Sequence, residues 1–329
     1  MRSAQIVGVG SSLPRRIVTN DDLTAFVDTS DDWIVSRTGI RARRFAGDGE
    51  TASTLAADAA RRALSAADVR PEEIDLTVVA TVSGDQPLPA TAAFVQADLG
   101  LGGAAFDVAA ACAGFIYGLA VATGMLTAGI VERALVIGSE TMSRVIDPND
   151  RATAVLFGDG AGAVVVRRGE AGEPGEVGPF DLGTDGELAE LLVVPAGGSR
   201  RPASAVTVAE GGHWLRMEGK EVYRQAVRRM VESSRAVLAR AGLTIDDVDR
   251  LVGHQANARI LDAVADRLGI PPQRRVANVE RYGNTSSASI PLALADAGLR
   301  SGQRILLTAF GAGLSWGSTL LRWPELASG

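Results

Sequence analysis

Cys112, in "DVAAACAGF", is the only cysteine of the chain, and no acidic, basic or histidine side chain lies within four residues of it. If a helix begins near Ala113, the sulfur sits at that helix's N-terminus. Unpaired N–H groups and the positive dipole end favour a thiolate there. Ala111, Ala113 and Gly114 leave room for a carbonyl and let backbone N–H groups approach it. The ordinary alternative is a small buried hydrophobe. His254, in "LVGHQANARI", reads as a strand end before a helix, where a core or capping histidine is equally natural. Asn284, in "YGNTSSASIP", is turn chemistry, and Asn284 or Thr285 can cap the next helix. Taken together the three side chains suit acyl transfer. A thiolate takes an acyl group as a thioester. His and Asn can donate to a developing enolate or oxyanion without bringing a negative charge of their own.

These residues must be positioned by elements far apart in the chain. Strand and helix patterns alternate, which predicts an α/β fold. The chain also repeats itself. "ALSAADVRPEEIDLTVVAT" (63–81) aligns without gaps to "VLARAGLTIDDVDRLVGHQ" (237–255). The units beginning "DVAAACAGF" (107) and "NVERYGNTSS" (278) both read strand, tight turn, small-residue helix, strand. "FGDGAGAVVV" (157–166) is echoed by "FGAGLSWGSTLL" (310–321). Two duplicated halves are expected, 1–170 carrying Cys112 and 171–329 carrying His254 and Asn284. The stretch from 170 to 215 that opens the second is rich in Gly, Pro and Glu. The alignment sets Cys112 opposite Asn284, and pseudo-twofold symmetry would bring the strand ends to a common seam.

The chain has 329 residues, 46% hydrophobic and 22% charged, with a net charge of −6. That balance argues against a nucleic-acid partner, which needs a basic footprint. One cysteine fits a reducing compartment, and the start "MRSAQIVGVGSSLP" lacks a signal-peptide layout, so a cytoplasmic location is expected. Cys112, His213 and His254 are far apart, and no metal-ligand spacing occurs. His213 is expected to be structural. Val108–Val131 has no charge and is long enough to span a bilayer. Its Gly, Ala and Thr content, between two strand-like runs, predicts a buried helix and no membrane contact. "GVGSSLP" lacks the third glycine of a dinucleotide-binding loop.

"DTSDDWIVSRTGIRARR" (28–44), "DVAAACAGF", "FGDGAGA", "GHQANARI", "YGNTSSASIP" and "FGAGLSWGS" together resemble the motifs of the β-ketoacyl-acyl-carrier-protein synthase III family. The resemblance runs from about residue 5 to the C-terminus. It implies a thiolase-like five-layered α-β-α-β-α fold built from two duplicated halves, working as a homodimer. It implies a decarboxylative Claisen condensation of an acyl-CoA primer with malonyl-acyl carrier protein, initiating fatty acid synthesis. Cys112 would carry the acyl group, and His254 and Asn284 would stabilise the enolate. The backbone N–H groups of Cys112 and Ala312 would form the oxyanion hole. No metal or redox cofactor is implied, because the β-carboxylate supplies the carbanion.

The same resemblance assigns CoA contacts to Trp33, Arg37, Arg151, Gly219 and Asn257, with Trp33 and Arg151 sandwiching the adenine. It assigns the acyl pocket to Leu88, reaching across the dimer, and Phe157. It assigns carrier-protein contacts to Arg224 and Arg259. Leucine at 88 is intermediate between the aromatic that suits two-carbon primers and a small residue that admits long chains. A short straight or branched primer is therefore expected. "TSSAS" stands where "TSAAS" is usual, a change expected to be neutral. Polyketide-priming ketosynthases and non-condensing acyltransferases of the same fold are the alternatives. A thiolase would need a second cysteine.

Overall fold

The computed structural model describes residues 2–326. Ten strands carry the architecture: β1 (Arg2–Ser12), β2 (Leu76–Ala80), β3 (Ala104–Val108), β4 (Arg133–Thr141), β5 (Asp159–Glu170), β6 (Glu176–Thr184), β7 (Arg250–Gly253), β8 (Arg275–Val276), β9 (Arg304–Gly311) and β10 (Ser315–Arg322). Their spatial order is β8-β7-β9-β10-β6-β1-β5-β4-β2-β3. Two five-stranded sheets meet where β1 and β6 pair through only Ala4–Val177 and Gln5–Glu176. In one sheet β2 is parallel to β3 and β4, while β5 is antiparallel to β4 and β1. In the other, β7 is parallel to β8 and β9, while β10 is antiparallel to β9 and β6. Strand for strand the pattern is the same. The turn between β5 and β6 spans residues 171–175, beside the 170/171 division expected from the repeat.

Seven helices matter for the site: α1 (Asp31–Thr38), α2 (Ala52–Ala67), α3 (Thr91–Leu99), α4 (Gly114–Ala128), α5 (Gly219–Arg240), α6 (Ala258–Leu268) and α7 (Ser289–Asp296). Helices α4 and α7 lie between the two sheets, α2 and α3 cover the outer face of the first, and α5 and α6 cover the second. Helix α4 reads as apolar all round because both sheets press on it. Phe115, Ile116, Leu119 and Leu126 are fully buried there. The run Ala111–Ala128 has the length and composition of a membrane span, yet here it is the central helix of the core. Helix α2, with alanine on its inner face, lies so close to β1 that a Cβ on Gly10 would stand 2.2 Å from the Ala59 carbonyl oxygen. The glycines of "GVGSS" thus serve strand–helix packing.

Candidate active site

Both central helices are entered through a short 3-10 turn, Ala111–Ala113 before α4 and Ser286–Ala288 before α7. The first residue of each turn holds a left-handed backbone, with φ 45° at Ala111 and φ 49° at Ser286. Such backbone costs energy in a non-glycine residue and clusters at functional sites. The matched turns correct the alignment made from sequence. Cys112 corresponds to Ser287, and Asn284 stands three residues earlier. The extra residues form an Asx-type turn in which Asn284 Oδ1 accepts from Ser286 N–H at 2.9 Å. Asn284 is pinned to the opposite half by backbone: its N–H donates to the Leu156 carbonyl at 2.8 Å, and its carbonyl accepts from Gly158 N–H at 2.9 Å. It does not cap α7, whose N-cap is Ala288.

His254 follows β7, its N–H donating to the Thr308 carbonyl of β9 at 2.8 Å. The ring is buried, and Nδ1 lies 2.7 Å from Ser289 Oγ at the start of α7. That hydroxyl also accepts from Gln255 N–H at 3.4 Å. Among the described residues that hydroxyl has no acceptor other than Nδ1 for its hydrogen, and we assign the ring proton to Nε2. Burial pushes His254 down to about 3, so the imidazole is neutral.

Cys112, His254 and Asn284 line one cavity of about 380 Å³, together with Phe157, Met217, Phe310 and Gly311. Gly311 is required here, since a Cβ on it would stand 2.6 Å from the Cys112 amide nitrogen. Ala312, the next residue, is partly buried behind it. The thiolate expected at the helix N-terminus is not the resting form. Burial pushes the thiol up to about 12, and the nearby Glu140 carboxylate adds to the rise. A hydrogen bond from Ser286 works in the other direction. Glu140 and Ser286 went unnoticed in the sequence, where "GSETMS" reads as an unremarkable strand end.

The mouth of the cavity is cationic. Arg37, Lys220 and Arg259 line it with Gly219 and Asn257, and among the described residues no acidic side chain does. Lys220, the chain's only lysine, is a third residue that the sequence motifs did not single out. Asn257 N-caps α6, with Oδ1 accepting from Ile260 N–H at 2.9 Å, which leaves its amide NH2 free for a ligand. Trp33 carries both Arg37 and Arg151 on its ring, their guanidinium carbons 4.5 and 4.7 Å from the centroid. The expected Trp33–Arg151 pair is therefore adjacent but closed, without the gap an adenine would fill. Arg224 lies outside this cavity in a paired state, bonded to Glu221 at 2.6 and 2.9 Å. Leu88 is 83% exposed on a loop and does not line this cavity. His213 lies elsewhere, bonded to Thr207 Oγ1 at 3.0 Å.

The family model described as 3-oxoacyl-[acyl-carrier-protein] synthase III matches residues 106–186, and the model of that family's C-terminal part matches residues 238–323. A β-ketoacyl-[acyl-carrier-protein] synthase III from Streptomyces coelicolor is 52% identical, covering 99% of this chain and 98% of its own. The crystal structure of 3-oxoacyl-(acyl carrier protein) synthase III from Pseudomonas aeruginosa superposes with a TM-score of 0.92 at 48% identity, covering 99% of this chain and 100% of its own. The priming β-ketosynthase of the R1128 polyketide pathway superposes with a TM-score of 0.91 at 38% identity, over 99% of this chain and 98% of its own. With that fold, those full-length identities and those matched models, the chain belongs to the β-ketoacyl-acyl-carrier-protein synthase III family, ketosynthase-type acyltransferases of thiolase-like fold.

Proposed function

We propose that the protein condenses an acyl-CoA primer with malonyl-acyl carrier protein through an acyl-Cys112 intermediate. The observation that carries this reading is the meeting of Cys112, His254 and Asn284 in one cavity with a cationic mouth. Cys112 attacks the CoA thioester and CoA leaves. Malonyl-carrier protein then enters. Loss of carbon dioxide leaves an enolate oxygen that accepts from His254 Nε2–H and the Asn284 amide. Neutral donors suit this step, because they are fixed in place before the charge develops. The carbanion attacks the Cys112 thioester, whose oxyanion accepts from the N–H groups of Cys112 and Ala312. The β-ketoacyl-carrier protein departs. No step calls for a metal or redox cofactor.

Arg37, Gly219 and Asn257 at the mouth suit the phosphates and pantetheine of CoA. Trp33 and Arg151 take the adenine only after the guanidinium leaves the indole. Arg259 and Lys220 suit an acidic carrier protein, and Arg224 joins them only by giving up Glu221. We further propose a homodimer. Strand β3 ends the sheet without a partner, and the helices on its two faces expose Phe94 and Val121 beside it. An unpaired edge flanked by apolar side chains is a natural pairing surface. Leu88 would then enter the partner's acyl pocket.

The test is the mass of the carrier. The enzyme is mixed with malonyl-carrier protein and an equimolar pool of acyl-CoAs. β-Ketoacyl masses are expected, and the dominant one names the primer. A carrier left as malonyl while acyl-CoA is consumed would replace this reading with a non-condensing acyltransferase. The likeness to the R1128 priming ketosynthase favours a second reading, condensation in service of a polyketide. Genes beside this one for an aromatic polyketide assembly would select it.

A further inference from the structure

Glu140, near the end of β4, is fully buried, and among the described residues no cation is paired with it. Its Oε2 accepts from Val82 N–H at 3.1 Å, Ser83 N–H at 3.2 Å, Ser83 Oγ at 2.5 Å and Thr81 Oγ1 at 3.3 Å. Ser83 Oγ itself accepts from Thr141 N–H at 2.8 Å, so its hydrogen is committed to the carboxylate. Oε1 faces two hydroxyls from the other half, Ser286 Oγ at 3.0 Å and Ser287 Oγ at 2.8 Å. Ser286 also acts on the Cys112 thiol in the direction that favours the thiolate, and the two turns that carry these residues, Ala111–Ala113 and Ser286–Ala288, pack against each other. Ser286 thus stands between Cys112 and Glu140.

A hydrogen count singles out Oε1. Ser287 Oγ lies 2.8 Å from Glu140 Oε1 and 2.8 Å from the Ala80 carbonyl oxygen, which can only accept. One hydroxyl has one hydrogen and cannot donate fully to both. If Oε1 carries a proton, that proton goes to Ser287, Ser287 donates to Ala80, and every contact has its hydrogen. The site therefore has a seat for one more proton. The Ser287 that makes the seat is the residue by which "TSSAS" departs from the usual "TSAAS".

We propose that Glu140 takes the Cys112 thiol proton through the Ser286 hydroxyl during acylation and returns it when product leaves. This rests on the reading of Cys112 as the acyl acceptor. In the forward step the S–H proton passes to Ser286 Oγ, and the Ser286 proton passes to Glu140 Oε1. The sulfur lone pair forms the new C–S bond as the bond to CoA breaks, and CoA leaves as its thiolate. After condensation the Cys112–acyl bond breaks, and the thiolate recovers the proton along the same line. The pair carries one negative charge before acylation; that charge departs on the CoA thiolate, leaving a neutral thioester and a neutral acid, and it returns when the carbanion left by decarboxylation displaces the Cys112 thiolate. Glu140 acts through Ser286 and is a positioning residue. The groups facing it are the hydroxyls and amides named above, and Cys112 across Ser286. Neutral His254 lies at the cavity, and Asp159 on β5 is turned to Ser143 and Ala46.

The test is the rate at which iodoacetamide alkylates Cys112 between about pH 6 and about pH 9, followed by mass, in wild type, E140Q and S286A. A pair holding one shared proton has a fixed thiolate fraction between its two macroscopic titrations, so the wild-type rate is expected to be flat. In E140Q the thiol must lose its proton to water, and the rate is expected to rise about tenfold per pH unit. Glutamine can keep the packing, with its amide oxygen toward Val82 and Ser83 and its NH2 toward the two serines. S286A breaks the line without touching the acid and is expected to show the same rise. Ala111 demonstrates that alanine tolerates this backbone. A wild-type rate that climbs tenfold per unit, or variants that stay flat, overturns the proposal. Failure of Cys112 as acyl acceptor shows separately, as the absence of an acyl adduct after treatment with acyl-CoA.

Discussion

The three polar side chains at the seam are held by different forces, and their removal is expected to have different consequences. Cys112→Ala leaves no sulfur to acylate, and acyl transfer from acyl-CoA is expected to vanish. The imidazole of His254 is neutral and stores no proton, because burial holds it at about 3. Its folded value lies below the ordinary 6.5, so as pH falls from about 6.5 to about 3 the unfolded chain takes up a proton that the folded chain does not. Stability is therefore lost through that window, at up to about 1.4 kcal/mol per pH unit, and is untouched by this group above it. In His254→Gln the fall of Tm from pH 6.5 toward pH 4 is expected to be shallower than in wild type. An equal slope in both proteins would show that the histidine is not held neutral. At this scale the sequence named Cys112, His254 and Asn284 but hid Glu140. Its hydrogen-bond partners come from residues 81–83 and 286–287, and no local pattern joins those segments to "GSET".

At the scale of elements, the site is a pair of turns set on two buried helices. The periodicities announced the helices, and the repeat announced that they correspond. The register was misread by three residues because Asn284 belongs to an inserted Asx turn rather than to the turn that matches Cys112. Leu119 is fully buried on the inward face of helix α4, so Leu119→Ala is expected to cost about 2–5 kcal/mol in a denaturant titration. Gly311→Ala tests the close approach directly. A methyl group there collides with the Cys112 amide, at 2.6 Å, and displaces the sulfur and the backbone N–H together. Acylation is expected to fall at least tenfold, and the overpacked contact to lower stability by about 1–3 kcal/mol. Unchanged acylation would mean that Cys112 does not depend on this contact. The closed Trp33 stack was not legible either, because a guanidinium and an indole that both suit an adenine also suit each other.

At the scale of the whole molecule, the duplication is what places distant segments together. Two sheets of identical pairing order present their central helices and strand ends to one seam, and neither half holds the full set of side chains. That much was legible as an internal repeat. The single chain leaves the β3 edge and Leu88 open to solvent. Phe94→Asp is expected to shift the protein toward monomer in sedimentation velocity, and a wild type that sediments as monomer at micromolar concentration would contradict the dimer. Leu88 sets the expectation for chain length. A preference for acyl-CoAs of about ten carbons or more would remove its assignment to a short-primer pocket.

The most direct test of the central claim separates the two half-reactions. Wild type, C112A, H254A and N284A are each incubated with acyl-CoA and then with malonyl-carrier protein, and the masses of enzyme and carrier are read after each addition. The account predicts an acyl adduct on wild type, H254A and N284A but not on C112A, with β-ketoacyl carrier formed by wild type alone. An adduct on C112A, or full condensation by H254A and N284A, would contradict it.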